Sequence, residues 1–299
     1  MIRVSVGLAT AFAVALAVSG CQQPSSTPPA AAPAAEANAA DTEPGVQLSA
    51  LAPANIARVK AAGAAPFDLT GNWFIDTEGG QKPENWRFGP PYPTLTAEAQ
   101  KRQGSGRGRA GGGGEGGRAD SWLDRSLYDR CITRGVPGSM MPAIYGNSYQ
   151  IQQGPGVVTI TYEMVHDTRV IPLDNRPHVS AKIRQYLGDA RGRWEGHTLV
   201  VETTNFNDKV PYRGSSDNLR IVERFTPIGP DTLEWSITFD DPRTWARPWT
   251  FAMNLTHDES QPPFEYACHE GNYGLRNILS AARAEDRQRA IAIEQQRPR

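Results

Sequence analysis

Glu223 lies in the run Leu219-Arg220-Ile221-Val222-Glu223-Arg224-Phe225, where apolar side chains fall on every second residue. Such alternation puts residues i, i+2 and i+4 on one face of a strand, so the carboxylate points with Leu219, Ile221 and Phe225 toward a core. Burying a carboxylate is unfavourable unless it is paired or protonated. Two roles follow. A carboxyl tuned by burial is a general acid or base, with His178 and Arg224 as its partners. An ion pair with Arg220, Arg224 or Arg247 would instead make Glu223 structural. His178 closes the Pro-bounded stretch Asn175-Arg176-Pro177-His178. An imidazole beside a guanidinium can shuttle protons or hold an anion, and it is equally a turn residue. Trp194, Asn205, Asn207 and Asp208, with Arg176 and Arg247, form a recognition set for glycans. Ring faces stack on sugars, and amides fix hydroxyls; Trp194 is equally a core residue.

Other chemistries lack their residues. The five histidines are scattered, with neither His-x-His nor His-Glu-x-x-His spacing, so no metal site is expected. No Gly-x-Gly-x-x-Gly joins a strand to a helix, and no Gly-x-Ser-x-Gly elbow is present. No cofactor is therefore expected. Lys plus Arg total 31 against 32 for Asp plus Glu, which argues against a nucleic-acid partner.

The front of the chain determines where this chemistry would operate. Arg3 precedes an uncharged run, residues 4–18, too short for the about 20 residues that span a bilayer. Such a start reads as a secretory signal over residues 1–20. Its exit, Val18-Ser19-Gly20-Cys21, resembles the bacterial lipobox, which implies acylation of Cys21 and a membrane as partner. Gln22, where an Asp would retain the protein, implies the periplasmic side of an outer membrane. Residues 21–44 are mostly Ala, Pro, Ser, Thr and acidic, a composition that cannot bury enough apolar surface to order itself. They read as a tether, and residues 45–299 as one domain. Within that domain residues 104–117 are nearly all Gly, Arg, Ser and Ala, a solvated low-complexity loop. In an oxidising compartment the two remaining cysteines, Cys131 and Cys268, are expected to pair, the alternative being a free catalytic thiol.

The domain is expected to be mainly β. A short helix is expected over 48–62, a first strand over 67–75, and a helix capped by Thr96 with Glu98 in its first turn. From Tyr149 to Tyr266 the period is two: Val158, Ile160, Tyr162 and Met164; Leu233, Trp235, Ile237 and Phe239; Trp249, Phe251, Met253 and Leu255. The links, such as Glu195-Gly196-His197, are short, and no helix long enough for a parallel crossover intervenes. The expected architecture is an antiparallel meander closed as a barrel or packed as a sandwich, followed by a helix over 275–296.

Four stretches resemble a widespread family of exported, uncharacterised bacterial proteins. They are the segment from Phe67 to Trp73; Arg176-Pro177-His178; Gly192-Arg193-Trp194-Glu195-Gly196-His197-Thr198-Leu199-Val200-Val201-Glu202-Thr203 with Phe206-Asn207-Asp208; and Val222-Glu223-Arg224-Phe225 with Arg247-Pro248-Trp249-Thr250. Cys131 and Cys268 also fit that pattern. The chain departs from it at His197 and Arg220, where the family has Asp and often His. Gly71-Asn72-Trp73 resembles the opening of lipocalin-like barrels, in which the Trp plugs one end. These likenesses imply an exported β fold and no particular reaction. The expectation is a lipid-anchored lipoprotein that binds a small apolar, aromatic or glycan ligand. A cofactor-independent hydrolase or lyase using Glu223 with His178 or Arg224, and a structural envelope protein, are the alternatives.

Overall fold

The computed structural model describes residues 65–75, 87–89, 93–104, 119–143, 145 and 148–297. The expected signal, Cys21, the expected tether, the helix expected over 48–62 and the Gly/Arg run beyond Gly104 lie outside them. The described residues form ten strands: β1 Gly71–Ile75, β2 Arg87–Gly89, β3 Ser148–Gly154, β4 Val157–Tyr162, β5 Thr168–Pro172, β6 Asp189–Glu195, β7 Thr198–Thr204, β8 Arg220–Gly229, β9 Thr232–Asp240 and β10 Trp249–His257. Helices α1 Ala97–Gly104, α2 Gly135–Met140 and α3 Gly274–Gln295 accompany them. Thr96 caps α1, its Oγ1 accepting from the Ala99 N–H at 3.1 Å.

The strands form a nearly closed barrel in the order β5-β4-β3-β1-β10-β9-β8-β7-β6, with β2 added beside β10. Every neighbouring pair along that path is antiparallel. The hairpin turns explain the meander. Gly196, at φ +59°, supplies the left-handed residue between β6 and β7 that other residues adopt reluctantly.

Alternation settles which side faces in. Leu233, Trp235, Ile237 and Phe239 on β9 and Trp249, Phe251, Met253 and Leu255 on β10 are all buried, as are Val158, Ile160 and Tyr162 on β4. The interior is filled by aromatic side chains. Phe239 stacks on Trp249 at 4.1 Å and on Tyr212 at 5.2 Å, and Tyr149 meets Tyr162 edge-on. Each such ring removes roughly 150–250 Å² from water, the largest favourable contribution per residue in the fold. Trp73 is buried among them, its indole N–H donating to the Leu69 carbonyl at 2.9 Å. Cys131 and Cys268 are joined by a disulfide that ties the segment before α2 to the approach to α3. The distal half of α3 is exposed throughout, Ile291 and Ile293 included.

Nine strands paired antiparallel leave the two end strands, β5 and β6, running in the same direction. They lie side by side without a ladder, so the seam is closed by side chains instead of backbone hydrogen bonds. The closest packing falls at Gly192 on β6. A Cβ there would stand 2.5 Å from Cδ2 of Leu173 and 2.8 Å from Cγ2 of Ile171. Gly192 is therefore fixed by cross-seam contact, whatever its backbone angles. Gly192→Val is expected to overpack the seam and lower stability by about 1–3 kcal/mol, with Gly192→Ala milder. Urea denaturation of both variants measures this; an undiminished midpoint for the valine variant would show the seam to be loose.

Candidate functional site

The parallel ends of the barrel force a long return. Residues 173–188 leave the top of β5 and travel back to the start of β6, with no regular secondary structure. Ordered connections of this length are uncommon in compact domains and are usually functional. This strap is pinned at many points. Asn205 adopts φ +58°, a conformation that asparagine tolerates, and its Nδ2 lies 3.0–3.1 Å from the carbonyls of Val179, Ser180 and Ile183. Gln185 pairs its backbone with Asn205 and Asn207. Arg184 donates to the carbonyls of Phe206 and Asp217.

Under the strap, where β5 and β6 part, lies a cavity of about 440 Å³. Its walls are Thr168, Arg169, Val170 and Pro172 from β5, Arg176, Pro177 and Val179 from the strap, and Asp189, Ala190 and Arg191 from β6. Gln185, Leu187 and Gly188 complete it.

The three arginines in this wall are each locked on one carboxylate. Arg169 holds the fully buried Glu223 through both terminal nitrogens, at 2.5 and 2.9 Å. The indole N–H of Trp235 donates to the same carboxylate at 3.0 Å. Burial works against the charge on Arg169, but the attraction of Glu223 exceeds it and holds the guanidinium protonated. Burial also pushes the phenol of neighbouring Tyr162 upward, so that it stays neutral. Arg176 is bound to buried Asp174 by Nε and Nη2. Arg191 donates Nη1 to Asp189 at 2.8 Å and Nε to the carbonyls of Arg176 and Pro177. Asp189 also accepts from His178 Nδ1 at 2.8 Å and from the Val179 N–H. On its other side His178 Nε2 lies 4.0 Å from Glu202, which Arg220 holds bidentately.

The residues singled out from the sequence divide among three places. Arg176 lines the cavity, and His178 sits beside it with its orienting carboxylate Asp189 in the wall. Glu223 points inward as the alternation requires, but its partner is Arg169 and none of Arg220, Arg224 or Arg247. Arg220 and Arg224 point outward from β8 and pair with Glu202 and Glu195. Glu223, His178 and Arg224 are therefore not a catalytic trio: Arg224 is on the opposite face of β8, and the Glu223 carboxylate is occupied by three donors. The amide of Asn205 is committed to the strap, and Asn207 accepts from the Lys209 N–H in a local turn. Asp208 and Arg247 are exposed, away from the cavity wall. Trp194 packs against the core, half-buried. The cavity residues that sequence reasoning missed are Arg169, Asp189 and Arg191. The imidazole held by Asp189 has the orientation of a base and its orienter. Its other nitrogen faces Glu202, and among the described residues no hydroxyl nucleophile bonds it. Among the described residues no group of three His, Cys, Asp or Glu side chains is placed to hold a metal.

The chain matches no family model and no curated protein. Among solved structures it is similar to a secretary abundant heat soluble (SAHS) protein from Ramazzottius varieornatus, at 11% identity and TM-score 0.29 over 66% of this chain and 98% of that one. It is also similar to a mutant of the fluorescent protein UnaG, at 10% identity and TM-score 0.28 over 64% of this chain and 96% of that one. Superposition at this level has no bearing on function, and the barrel stands on the chain's own ladders.

Two outcomes are expected. Glu223→Gln leaves a buried guanidinium without its counter-charge and should lower stability by about 3–5 kcal/mol, whereas the double change Arg169→Met, Glu223→Leu should recover most of it. Chemical denaturation of both variants checks this; equal losses in the single and double variants would rule out the pairing energy as the cause. The second outcome concerns Glu202, whose carboxyl Arg220 holds below its ordinary 4.5. A lowered folded pKa contributes stability that is complete above 4.5 and lost as pH falls through the lowered value. The Tm gap between the wild-type chain and Arg220→Gln should therefore be full at pH 6 and shrink as pH falls below 4.5; a gap that does not shrink with acidification refutes the linkage.

Proposed function

We propose that this chain is an exported lipoprotein, anchored through Cys21 to the periplasmic face of an outer membrane, whose barrel holds a small molecule at the β5–β6 seam. The observation that carries the reading is the cavity itself. Its volume lies within the roughly 300–1,000 Å³ of small-molecule sites, and a few convergent polar groups line it. The barrel axis is filled by Trp235, Phe225, Phe239 and Phe251, which favours the seam over the interior as the place of binding. A wall carrying the guanidinium groups of Arg176 and Arg191 favours a polar ligand over a purely apolar one. The anchor rests on the lipobox-like exit and the Pro/Ala-rich run behind it.

The test has two arms. Cys21→Ser should release the protein from the membrane fraction into the soluble periplasmic fraction, with loss of palmitate labelling. A metabolite and glycan screen by thermal shift on the full-length chain in detergent should find a ligand that raises Tm by mass action. Blocking the cavity with Val170→Trp, at a lining position that is largely exposed, should abolish that rise. A rise that survives the blocked variant places the ligand elsewhere.

A further inference from the structure

The donors and acceptors around the seam cavity are unevenly used. On the acceptor side the carboxylates are occupied. Asp189 binds Arg191, His178 and the Val179 N–H; Asp174 binds Arg176; Glu223 binds Arg169 and Trp235. On the donor side hydrogens remain. A guanidinium carries five N–H groups. Nη2 of Arg191 and Nη1 of Arg176 have no hydrogen-bond partner among the described residues. The edges of β5 and β6 toward the seam add backbone groups that no ladder occupies.

From this imbalance we infer that the ligand of the cavity bears an oxyanion, a carboxylate or phosphate group, received by Arg176 and Arg191. The inference rests on the cavity reading above and gives it a chemical class. The arginine, aspartate and glutamate charges around the site cancel, so net attraction is not the source of selectivity. Selectivity comes from directional N–H groups, and the planar guanidinium fork suits a two-oxygen acceptor better than an ammonium would. A neutral sugar brings as many hydroxyl donors as acceptors, and the carboxylates that would receive those donors are already engaged.

The experiment uses the full-length chain in detergent, with sodium phosphate, sodium citrate and the neutral disaccharide cellobiose as probes, read by calorimetric titration and by Tm. Phosphate or citrate is expected to bind saturably and raise Tm. Arg191→Met should weaken that binding about tenfold or more, the order expected for loss of a charge-assisted contact. Because Arg191 also holds the strap, a second series keeps the result independent of folding. Val170 lines the cavity but is 57% exposed, so a change there leaves the core alone. Val170→Lys should tighten and Val170→Glu loosen anion binding, each by about threefold, as for a charge near solvent. Arg224→Met, on the outer face of β8, should change nothing. Anion binding equal in the lysine and glutamate variants overturns the inference. Cellobiose binding without either anion also overturns it but leaves the cavity reading standing. Failure of all three probes to bind in a manner that depends on Arg191 counts against both.

Discussion

A buried ion pair ties the barrel's open side from within. Arg169 belongs to β5, one end of the sheet, and Glu223 to β8, two strands in from the other end. Their bond passes over β6 and β7 and ties the seam from within, where no backbone ladder can. A buried pair of this kind adds little net stability over an apolar pair of the same size, but it is unforgiving of losing one member. Its geometric effect is plainer. It fixes Arg169 of β5 to Glu223 of β8 across the seam, beside the cavity that Arg176 and Arg191 line.

The seam follows from parity. A meander with an odd number of strands brings its ends together in parallel, where pairing is slanted and slightly weaker. The chain must also carry its connection back along the whole height of the barrel. That connection is the strap at 173–188, pinned by Asn205 and Arg184 and braced by Arg191 beneath the Arg176 and Pro177 carbonyls. The defect in closure and the cavity thus share one cause. A ligand site at the seam needs no hollow core, which fits an interior packed with aromatic rings.

Much of this was legible in the sequence because the period of two is clear in β4, β8, β9 and β10. Leu219, Ile221, Glu223 and Phe225 point inward as their spacing demands, the helix cap at Thr96 is present, and Cys131 pairs with Cys268. β5 was not legible. It is five residues long, and one of its inward positions is Arg169, so the hydrophobic alternation that marks a strand is broken where the strand matters most. With β5 unseen, the partner of Glu223 had to be sought among arginines on its own strand or near the next one. Asn205 was misplaced for a different reason. Its amide was read as reaching for a ligand, whereas it clamps a segment some twenty-five residues earlier, a pairing that no local pattern encodes.

The bond between Cys131 and Cys268 has a mechanical consequence. Its two sulfurs bracket every strand from β3 to β10. Tension applied between the front of the chain and α3 would run from residue 131 straight to 268 and bypass that whole sheet. Of the described strands, the short β1 and β2 alone remain in series with the load, and the others are shunted by a covalent link. A tugging partner at the tail could pull the protein taut without unzipping the wall that shapes its cleft.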